Sequence, residues 1–318
     1  NDDFVYTRDA EGYFRPIIAP LTTMFFTRDC AAMTPRGLVV CNYNNKLRSF
    51  EATLARFVFQ FASALSHYPV VFDAHDEQVY VQGGDILVLD ERTLMLGVGN
   101  STSEEAASRM AQKLHMDVLA VQMPSGQWQT EAWDGLRNIF YHLDCLLNIV
   151  DRQKVLAVPY LLESRYVASN PLLEVLEGFG RIDNTPRTAT SLRLADVRNV
   201  GWVRRYQAGT GNRDNSFPRT KVLDYLKKNG FQVAYVGGTK AADESETRFL
   251  LESVLRESRF MATNVFATAP GEIIAYDGNP RTEQQLRSVG VEVQTFPASE
   301  LVRANGGPHC LTLPLERA

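Results

Sequence analysis

The sequence predicts an α/β fold built from a repeated unit of strands and helices. Strand-like and helix-like stretches alternate along the chain, three acids recur at intervals of roughly 60 residues, and no linker-like segment divides the chain. The recurring acids are Asp29, Asp85 and Asp144. The 318 residues (1–318) are therefore interpreted as one domain rather than two unrelated ones.

Each repeat is predicted to contain a strand pair, a helix and a further strand. In the first repeat, “SFEATLARFVFQFASAL” has apolar residues at helical spacing and separates the strands “GLVVCNY” and “PVVFDA”. In the second, “QGGDILVLDERTLMLGVGN” predicts two strands around a turn, and “STSEEAASRMAQKL” predicts an amphipathic helix before the strand “VLAVQM”. The spacing of Thr102 and Glu105 predicts a capping box at the start of that helix.

A similar order recurs in the second half of the chain. It is found near “CLLNIVDRQKVLAVP”, “KVLDYLKKNGFQVAYVG” and “VFATAPGEIIAYDGNPRTEQQLRSVGVEVQTF”. Residues 206–220, “YQAGTGNRDNSFPRT”, are rich in Gly, Asn, Asp, Ser and Pro, and this composition predicts a mobile loop.

The composition is that of a globular protein, 45% hydrophobic and 22% charged. A net charge of −4 and a pI of about 5.8 argue against a nucleic-acid partner. No apolar run reaches the roughly 18 residues of a membrane span. The four cysteines lack metal-ligand spacing and are too sparse for a disulfide scaffold, so we expect no metal site and a reducing, cytoplasmic setting. The sequence is compatible with a homo-oligomer as well as with a monomer.

Two short segments carry groups suited to nucleophilic and acid–base chemistry. Cys310 follows Gly306-Gly307-Pro308-His309, and a Gly-rich loop leaves a thiol open beside backbone amides. A buried structural cysteine is the alternative. On a strand, His142 and Asp144 share one face, as a general acid and a cation-binding carboxylate would. Here the alternative is a core histidine beside an exposed acid.

Two further acids end or interrupt strand-like runs. Asp29 follows Arg28 after “PLTTMFFT”, where a surface ion pair is the simpler interpretation. Gly83 and Gly84 precede Asp85, and such a break in a strand indicates that backbone or ligand comes close. Together, the acids could hold a planar cation, a thiolate could attack its central carbon, and an imidazole could protonate the leaving amine. This chemistry suits cleavage of a guanidinium group.

The sequence resembles the arginine deiminases of the pentein, or guanidino-group-modifying, superfamily. The matching segments follow the family order across roughly residues 16–316: “PLTTMFFTRD”, “QGGD”, “GVGNSTS”, “HLDCLLNIVDRQK”, “MATNVFATAPGEIIAYDGN” and “RANGGPHCLTLPL”. The resemblance implies a five-bladed propeller of ββαβ units with the active site on the central axis. It also implies that no metal or organic cofactor is needed.

The resemblance also implies a role for each matching residue. Cys310 would be the nucleophile, and His142 would act as general acid and then as general base. Asp29 and Asp144 would hold the guanidinium nitrogens, and Asp85 would belong to the second wall of the site. The product would be a ureido compound, which is citrulline if the substrate is arginine.

The sequence departs from the family at Gln82, where the family has a catalytic Glu that also contacts the guanidinium. An amide oxygen accepts a hydrogen bond but offsets no positive charge. Loss of a charge-assisted contact is expected to slow turnover by roughly 10²-fold or more. Three interpretations are open: a substitution introduced to slow turnover, natural tuning for another substrate, and a weakened or binding-only member.

A second departure lies among the residues expected to bind the amino-acid end of arginine. Ser101 replaces an Arg, Thr23 replaces an Asn, and Asn305 replaces an Arg found in some members, whereas Arg303 matches other members. Arg48 is matched to another carboxylate-binding Arg. Because carboxylates favour bidentate Arg, this reduced set favours an arginine derivative or a guanidine whose tail is not an amino acid.

Three functions follow from these patterns. The favoured one is a hydrolase that acts on the C–N bond of a small-molecule guanidine. The second is an amidinotransferase, which passes the amidino group from Cys310 to an amine instead of water. The third is a protein that binds guanidines with little turnover.

Overall fold

The computed structural model describes residues 6–8, 10–12, 14–16, 21, 23–45, 48–124, 140–175 and 199–316. Strands β1 (Tyr6–Arg8) and β2 (Phe14–Pro16) form an antiparallel pair, and the short helix α1 (Thr27–Cys30) follows. Four units of two strands, a helix and a further strand come next, as the sequence predicts.

The first two units are continuous in sequence. The first comprises β3 (Ala31–Thr34), β4 (Gly37–Val40), α2 (Ser49–Phe61) and β5 (Val70–Asp73). The second comprises β6 (Ile86–Val88), β7 (Thr93–Val98), α3 (Glu104–Leu114) and β8 (Asp117–Gln122).

The last two units include additional elements. The third comprises β9 (Leu147–Asp151), β10 (Lys154–Ala157), α4 (Pro159–Leu162), β11 (Val203–Tyr206), α5 (Val222–Lys228) and β12 (Gln232–Tyr235). A helical segment follows, with α6 (Glu246–Phe249), a π-helical turn (Leu250–Leu255) and α7 (Arg256–Arg259). The fourth unit comprises β13 (Phe266–Ala269), β14 (Glu272–Tyr276), α8 (Pro280–Ser288) and β15 (Glu292–Phe296).

Every unit forms its own small sheet with the same strand directions. Its first two strands are antiparallel, and its last strand runs parallel to the second, which is central. The parallel pairing needs a crossover, and the helix of each unit supplies it. Strand β11 joins the second sheet, antiparallel to β8.

The polar residues of interest lie where each unit begins. Asp29 is in α1, and Asp85 and Asp144 are in the 3₁₀ turns Gly83–Asp85 and Leu143–Cys145, which precede β6 and β9. Asn264 has the corresponding place just before β13. The spacing of the three acids therefore reflects a structural repeat that brings the starts of successive units together.

The two largest core clusters share the second sheet. Residues of β7 and β8 alternate between them: Met95 and Leu119 pack with the third and fourth units, whereas Leu94 and Val118 pack with α3 and the first unit. Because successive side chains of a strand point to opposite faces, this sheet is covered on both sides. The second unit therefore contributes to both clusters, and the single domain expected from the sequence stays a prediction.

The structure bears on two sequence expectations, the capping box at Thr102 and the mobile loop at 206–220. Helix α3 is capped by Ser103, not Thr102, and no side-chain capping bond forms, so the predicted capping box is wrong. The buried Thr102 hydroxyl donates to Asp85 instead. Within 206–220, the Gly209 N–H bonds to Ala111 and the Gly211 carbonyl accepts from Ser108, so this segment is tied to α3. Its mobility stays a prediction.

Within the described part of the chain, every helix is too short or too polar to cross a bilayer.

Candidate active site

Three helical turns meet at the start of the first three units, and two glycines make this contact possible. A Cβ on Gly83 would lie 1.8 Å from the carbonyl oxygen of Arg28, and one on Gly84 would lie 2.5 Å from Nδ1 of His142. Neither glycine has a positive φ. The Gly-Gly pair is therefore needed for close approach of backbone and imidazole, as the strand break predicts, and not for an unusual backbone conformation.

Asp85 joins two of these turns. Its Oδ2 accepts the Thr102 hydroxyl at 2.6 Å, and its Oδ1 accepts the Leu143 backbone N–H at 3.0 Å. Burial raises the pKa of Asp85 to about 6, even though nearby His142 and these hydrogen bonds lower it. Both oxygens of Asp85 are therefore engaged within the protein, and its contact with substrate stays a prediction.

His142 lies between Gln82 and Asp29. Its Nε2 is 2.8 Å from Gln82 Oε1, and its Nδ1 is 3.5 Å from Asp29 Oδ1. An amide oxygen only accepts, so Nε2 carries the proton in this pairing. Gln82 is buried and contacts the imidazole directly, but it provides no negative charge there.

Asp29 belongs to a buried chain of polar side chains. Its Oδ2 accepts from Arg48 Nη1 at 3.0 Å, and the rest of the Arg48 guanidinium is bound by Glu51 Oε2 at 2.9 and 3.1 Å and stacks over Tyr43. Glu51 in turn accepts the Thr23 hydroxyl. Burial lowers the pKa of Arg48, but the neighbouring acids raise it more, so Arg48 stays charged.

The other oxygen of Asp29 lies 3.5 Å from His142 Nδ1 without forming a hydrogen bond. Asp29 Oδ1 is buried and has no hydrogen-bond partner among the described residues. A buried carboxylate oxygen without a partner is costly, and such atoms in native structures often mark a ligand position.

Asp144 lies beside the thiol and is held by a second histidine. Its Oδ2 is 2.8 Å from His309 Nδ1 and 3.6 Å from Cys310 Sγ, and its side chain is fully buried. Burial raises the pKa of Asp144, but the hydrogen bond and charge of His309 outweigh it, so the pKa lies below its usual value. Asp144 is therefore a carboxylate at neutral pH.

Hydrogen bonds to the backbone carbonyls of His309 and Cys310 hold the Cys310 loop against the first unit. The Arg28 N–H donates to the Cys310 carbonyl at 3.1 Å, and the Arg28 guanidinium donates to the His309 carbonyl at 3.2 Å. The Cys310 N–H donates to Asn264 Oδ1. Burial, followed by the charges of Asp144 and Asp29, raises the pKa of the Cys310 thiol well above its usual value. The resting protein therefore holds a neutral thiol.

The structure brings together most of the residues that the sequence selects, but not all of them. Arg48 bonds directly to Asp29, whereas Thr23 is connected to the site through Glu51. Ser101 is buried and lines a small cavity with Asp85. Arg303 is 76% exposed and pairs with Glu300, and Asn305 is exposed at the end of a 3₁₀ turn, so neither lies among the buried carboxylates.

Three residues of this cluster are absent from the sequence prediction: Glu51, His309 and Asn264. Glu51 lies three residues after Arg48 on α2, a spacing that predicts a helical ion pair. His309 is the neighbour of Cys310. Asn264 continues the series of polar residues at unit starts, at roughly twice the usual interval after Asp144.

The sequence profile of the family described as “ADI: Arginine deiminase” matches residues 4–317. The chain belongs to the arginine deiminase family. It is 27% identical to the arginine deiminase of Borrelia duttonii over 307 residues, which cover 95% of this chain and 62% of that relative. It is also 27% identical to the arginine deiminase of Listeria monocytogenes over 305 residues, with 94% and 62% coverage. The chain thus spans about 62% of the length of these relatives.

Solved structures of low sequence identity share the fold. Unliganded AgrE matches with a TM-score of 0.55 at 16% identity, over 93% of this chain and 30% of AgrE. A DDAH from Pseudomonas aeruginosa, solved with citrulline, matches with a TM-score of 0.52 at 14% identity, over 92% and 76%. The structural match extends to ArgZ, described as an arginine dihydrolase from cyanobacteria, at a TM-score of 0.54 and 15% identity, over 92% and 32%. This chain therefore has an α/β pentein-type fold with several small sheets.

Proposed function

We propose that this chain is a guanidine hydrolase, which releases ammonia from arginine or an arginine-like guanidine through a covalent amidino intermediate on Cys310. The observation that supports this most is the buried Asp29 Oδ1, which makes no hydrogen bond among the described residues and lies 3.5 Å from His142 Nδ1, while Asp144 lies 3.6 Å from the thiol. A planar guanidinium presents N–H groups in opposite directions, so it can bind both carboxylates while its carbon faces the sulfur.

Substrate binding would also activate the thiol. The charges of Asp144 and Asp29 help to keep the Cys310 pKa high in the resting protein. A guanidinium between these acids would cancel much of their effect and lower the pKa of the thiol. The thiolate would then form only when the cation to be attacked is in place.

The first half of the reaction forms the intermediate. The Cys310 thiol passes its proton to His142, and the resulting thiolate attacks the guanidinium carbon, forming the S–C bond. The C–N bond to one terminal nitrogen breaks, and that nitrogen leaves as ammonia with a proton from His142. An S-linked amidino group remains on Cys310.

In the second half, water replaces the thiolate. His142, now neutral, takes a proton from water, and the resulting hydroxide attacks the amidino carbon. The S–C bond breaks as the carbonyl forms, the hydroxyl proton passes to solvent, and the sulfur leaves as a thiolate that takes a proton back from the imidazolium as the ureido product departs. Because Gln82 supports the imidazolium with a neutral oxygen only, both proton transfers are expected to be slower than with Glu at this place.

We further propose that the site lies at the axis of a closed five-bladed propeller, within one catalytic domain covering 1–318. Four units begin at the same cluster of polar residues, as blades around an axis would.

The contacts of Arg48 indicate which kind of substrate tail the site can bind. Since its guanidinium is bound by Asp29 and Glu51, it is poorly placed to receive a substrate carboxylate, and this supports a guanidine with a modified or neutral tail.

The test is ammonia release from a panel of guanidines, without any amine acceptor, by the parent chain and Cys310→Ser. L-arginine, N-methylated arginine and decarboxylated arginine are suitable probes. We expect ammonia and a ureido product from at least one guanidine. Cys310→Ser should reduce release to background while guanidine binding, measured by calorimetry, persists.

Cys41→Ser is the matched control, because Cys41 is also buried but lies in the core of the first unit. It should retain activity. Full activity in Cys310→Ser would overturn the proposed mechanism, and product formation only with an added amine would make the protein an amidinotransferase.

A further inference from the structure

Helix α2 carries apolar side chains on two opposite faces. One face is buried against the first unit, where Phe59 packs in the core, and it comprises Glu51, Ala52, Ala55 and Phe59. A second row, here called the α2 seam, consists of Phe50, Leu54, Phe57 and Phe61. At about 100° per residue, the seam residues lie within about 60° of one another, on the side of the helix away from the core. The outer face of a surface helix is ordinarily polar, so the α2 seam indicates a partner.

The aromatic residues of the α2 seam are exposed. The exposed fraction is 44% for Phe50, 58% for Phe57 and 61% for Phe61, and Leu54 is half-buried. The rings of Phe57 and Phe61 contact each other, with centroids 4.7 Å apart. A phenylalanine side chain has about 200 Å² of surface, so the three rings expose roughly 300 Å² of apolar area. Apolar patches of this size on a soluble protein commonly mark an interaction site.

The spacing of the α2 seam makes it complementary to a second copy of itself. Successive seam residues are four, three and four positions apart, and this order is the same from either end of the helix. When two α2 helices cross antiparallel about a two-fold axis, each Phe50 faces a Phe61 and each Leu54 faces a Phe57. Two-fold interfaces require such self-complementarity, and alternating intervals of three and four residues are those of packed helix pairs.

The charges of α2 are compatible with this pairing. Glu51 is buried and binds Arg48. Arg56, beside the seam, pairs with Asp73 at 2.9 Å and with Asp76 at 3.0 Å. Because both ionised side chains of the helix are compensated within the same chain, two copies can approach without like-charge repulsion. An apolar centre with a polar rim is also the usual composition of a protein–protein interface.

We propose that the α2 seam is the docking surface for a second copy of this chain, with the two α2 helices antiparallel about a two-fold axis. Docking would remove the exposed rings of both copies from water, which provides the driving force. The proposal does not depend on the proposed function, because the seam residues lie outside the cluster of polar residues around Asp29.

The test is sedimentation equilibrium of the whole chain over a range of concentrations. Because the apolar area is limited, we expect the parent to dimerise with a dissociation constant of about 1–100 μM. Phe57→Glu would place a carboxylate against Leu54 at both symmetric positions and should raise this constant about 100-fold or more. Its thermal unfolding midpoint, compared at a concentration where both proteins are monomeric, should equal that of the parent, because Phe57 is largely exposed in the monomer.

Two control variants accompany Phe57→Glu. Phe57→Leu keeps an apolar side chain in the seam and should still form the dimer. Leu301→Glu alters a residue that is 44% exposed in the 3₁₀ turn Leu301–Ala304, outside the seam, and should dimerise like the parent. A parent that stays monomeric above about 100 μM would overturn the proposal, and any occupant of the seam would then be a different molecule. A dimer that Phe57→Glu leaves unchanged would also overturn it.

Disulfide cross-linking tests the antiparallel arrangement. In such a pair the two copies of residue 50 are separated by 11 helical positions, or about 16 Å, whereas residue 50 faces residue 61. Mild oxidation should therefore join Phe50→Cys to Phe61→Cys in a mixture of the two variants, but should not join either variant to itself. The four native cysteines are buried, and mass spectrometry of the linked peptides identifies the bond. Cross-linking of each variant alone would show parallel helices and overturn the proposed arrangement.

Discussion

Asp85→Asn removes a buried negative charge while leaving groups that can pair with Thr102 and Leu143. The folded-state pKa of Asp85 is about 6, against 3.8 for an ordinary Asp. This difference of about 2 units corresponds to about 3 kcal/mol of unfolding free energy. Because the folded pKa is the higher one, the stability from neutral Asp85 is fully present below about pH 4. It is lost as the pH rises through about 6.

Asparagine does not titrate, so the variant should escape this loss. We expect the unfolding free energy of Asp85→Asn, relative to the parent, to increase by about 3 kcal/mol between pH 4 and pH 8. Altered hydrogen bonds in the variant would change its unfolding free energy by the same amount at both pH values, and such a change cancels in this comparison. The assay is urea unfolding followed by circular dichroism at several pH values. Asp243→Asn, at an exposed acid, is the control and should show no such change. Parallel pH profiles for Asp85→Asn and the parent would refute the reasoning.

Three further variants test the site and its supports. Gln82→Glu should increase ammonia release by about 10²-fold, because a carboxylate would stabilise the imidazolium; unchanged or slower release would contradict this. Gly84→Ala should lower activity at least about tenfold, because its Cβ would lie 2.5 Å from the imidazole. Gly230→Ala, whose Cβ meets open space far from the site, should lose some stability because φ is +85° there, but should retain activity. Glu51→Gln should cost about 3 kcal/mol in urea unfolding by leaving a buried guanidinium undercompensated, and Glu105→Gln, in an exposed ion pair, should cost less than about 1 kcal/mol. Equal costs would show that burial of the pair is unimportant.

Periodicity was sufficient to predict the repeated unit, because the alternation of a strand pair, a helix and a strand is a local property of the chain. The same periodicity placed Asp29, Asp85 and Asp144 in equivalent positions. Local reasoning failed at Thr102, where a capping box was expected. Its hydroxyl bonds to Asp85 because both are buried together, and that contact joins residues 17 positions apart.

What the sequence alone determined is the family, the repeat and the set of candidate groups for the site: thiol, imidazole, carboxylates and the neutral Gln82. These follow from residue types, spacing and ordered motifs. Only the tertiary structure decided which partner each group has. Asp85 braces two turns, Arg48 is shared between Asp29 and Glu51, and Asn264 binds the Cys310 loop. The physical reason is that buried polar groups are paired across sequence-distant units, and chain folding alone sets those distances.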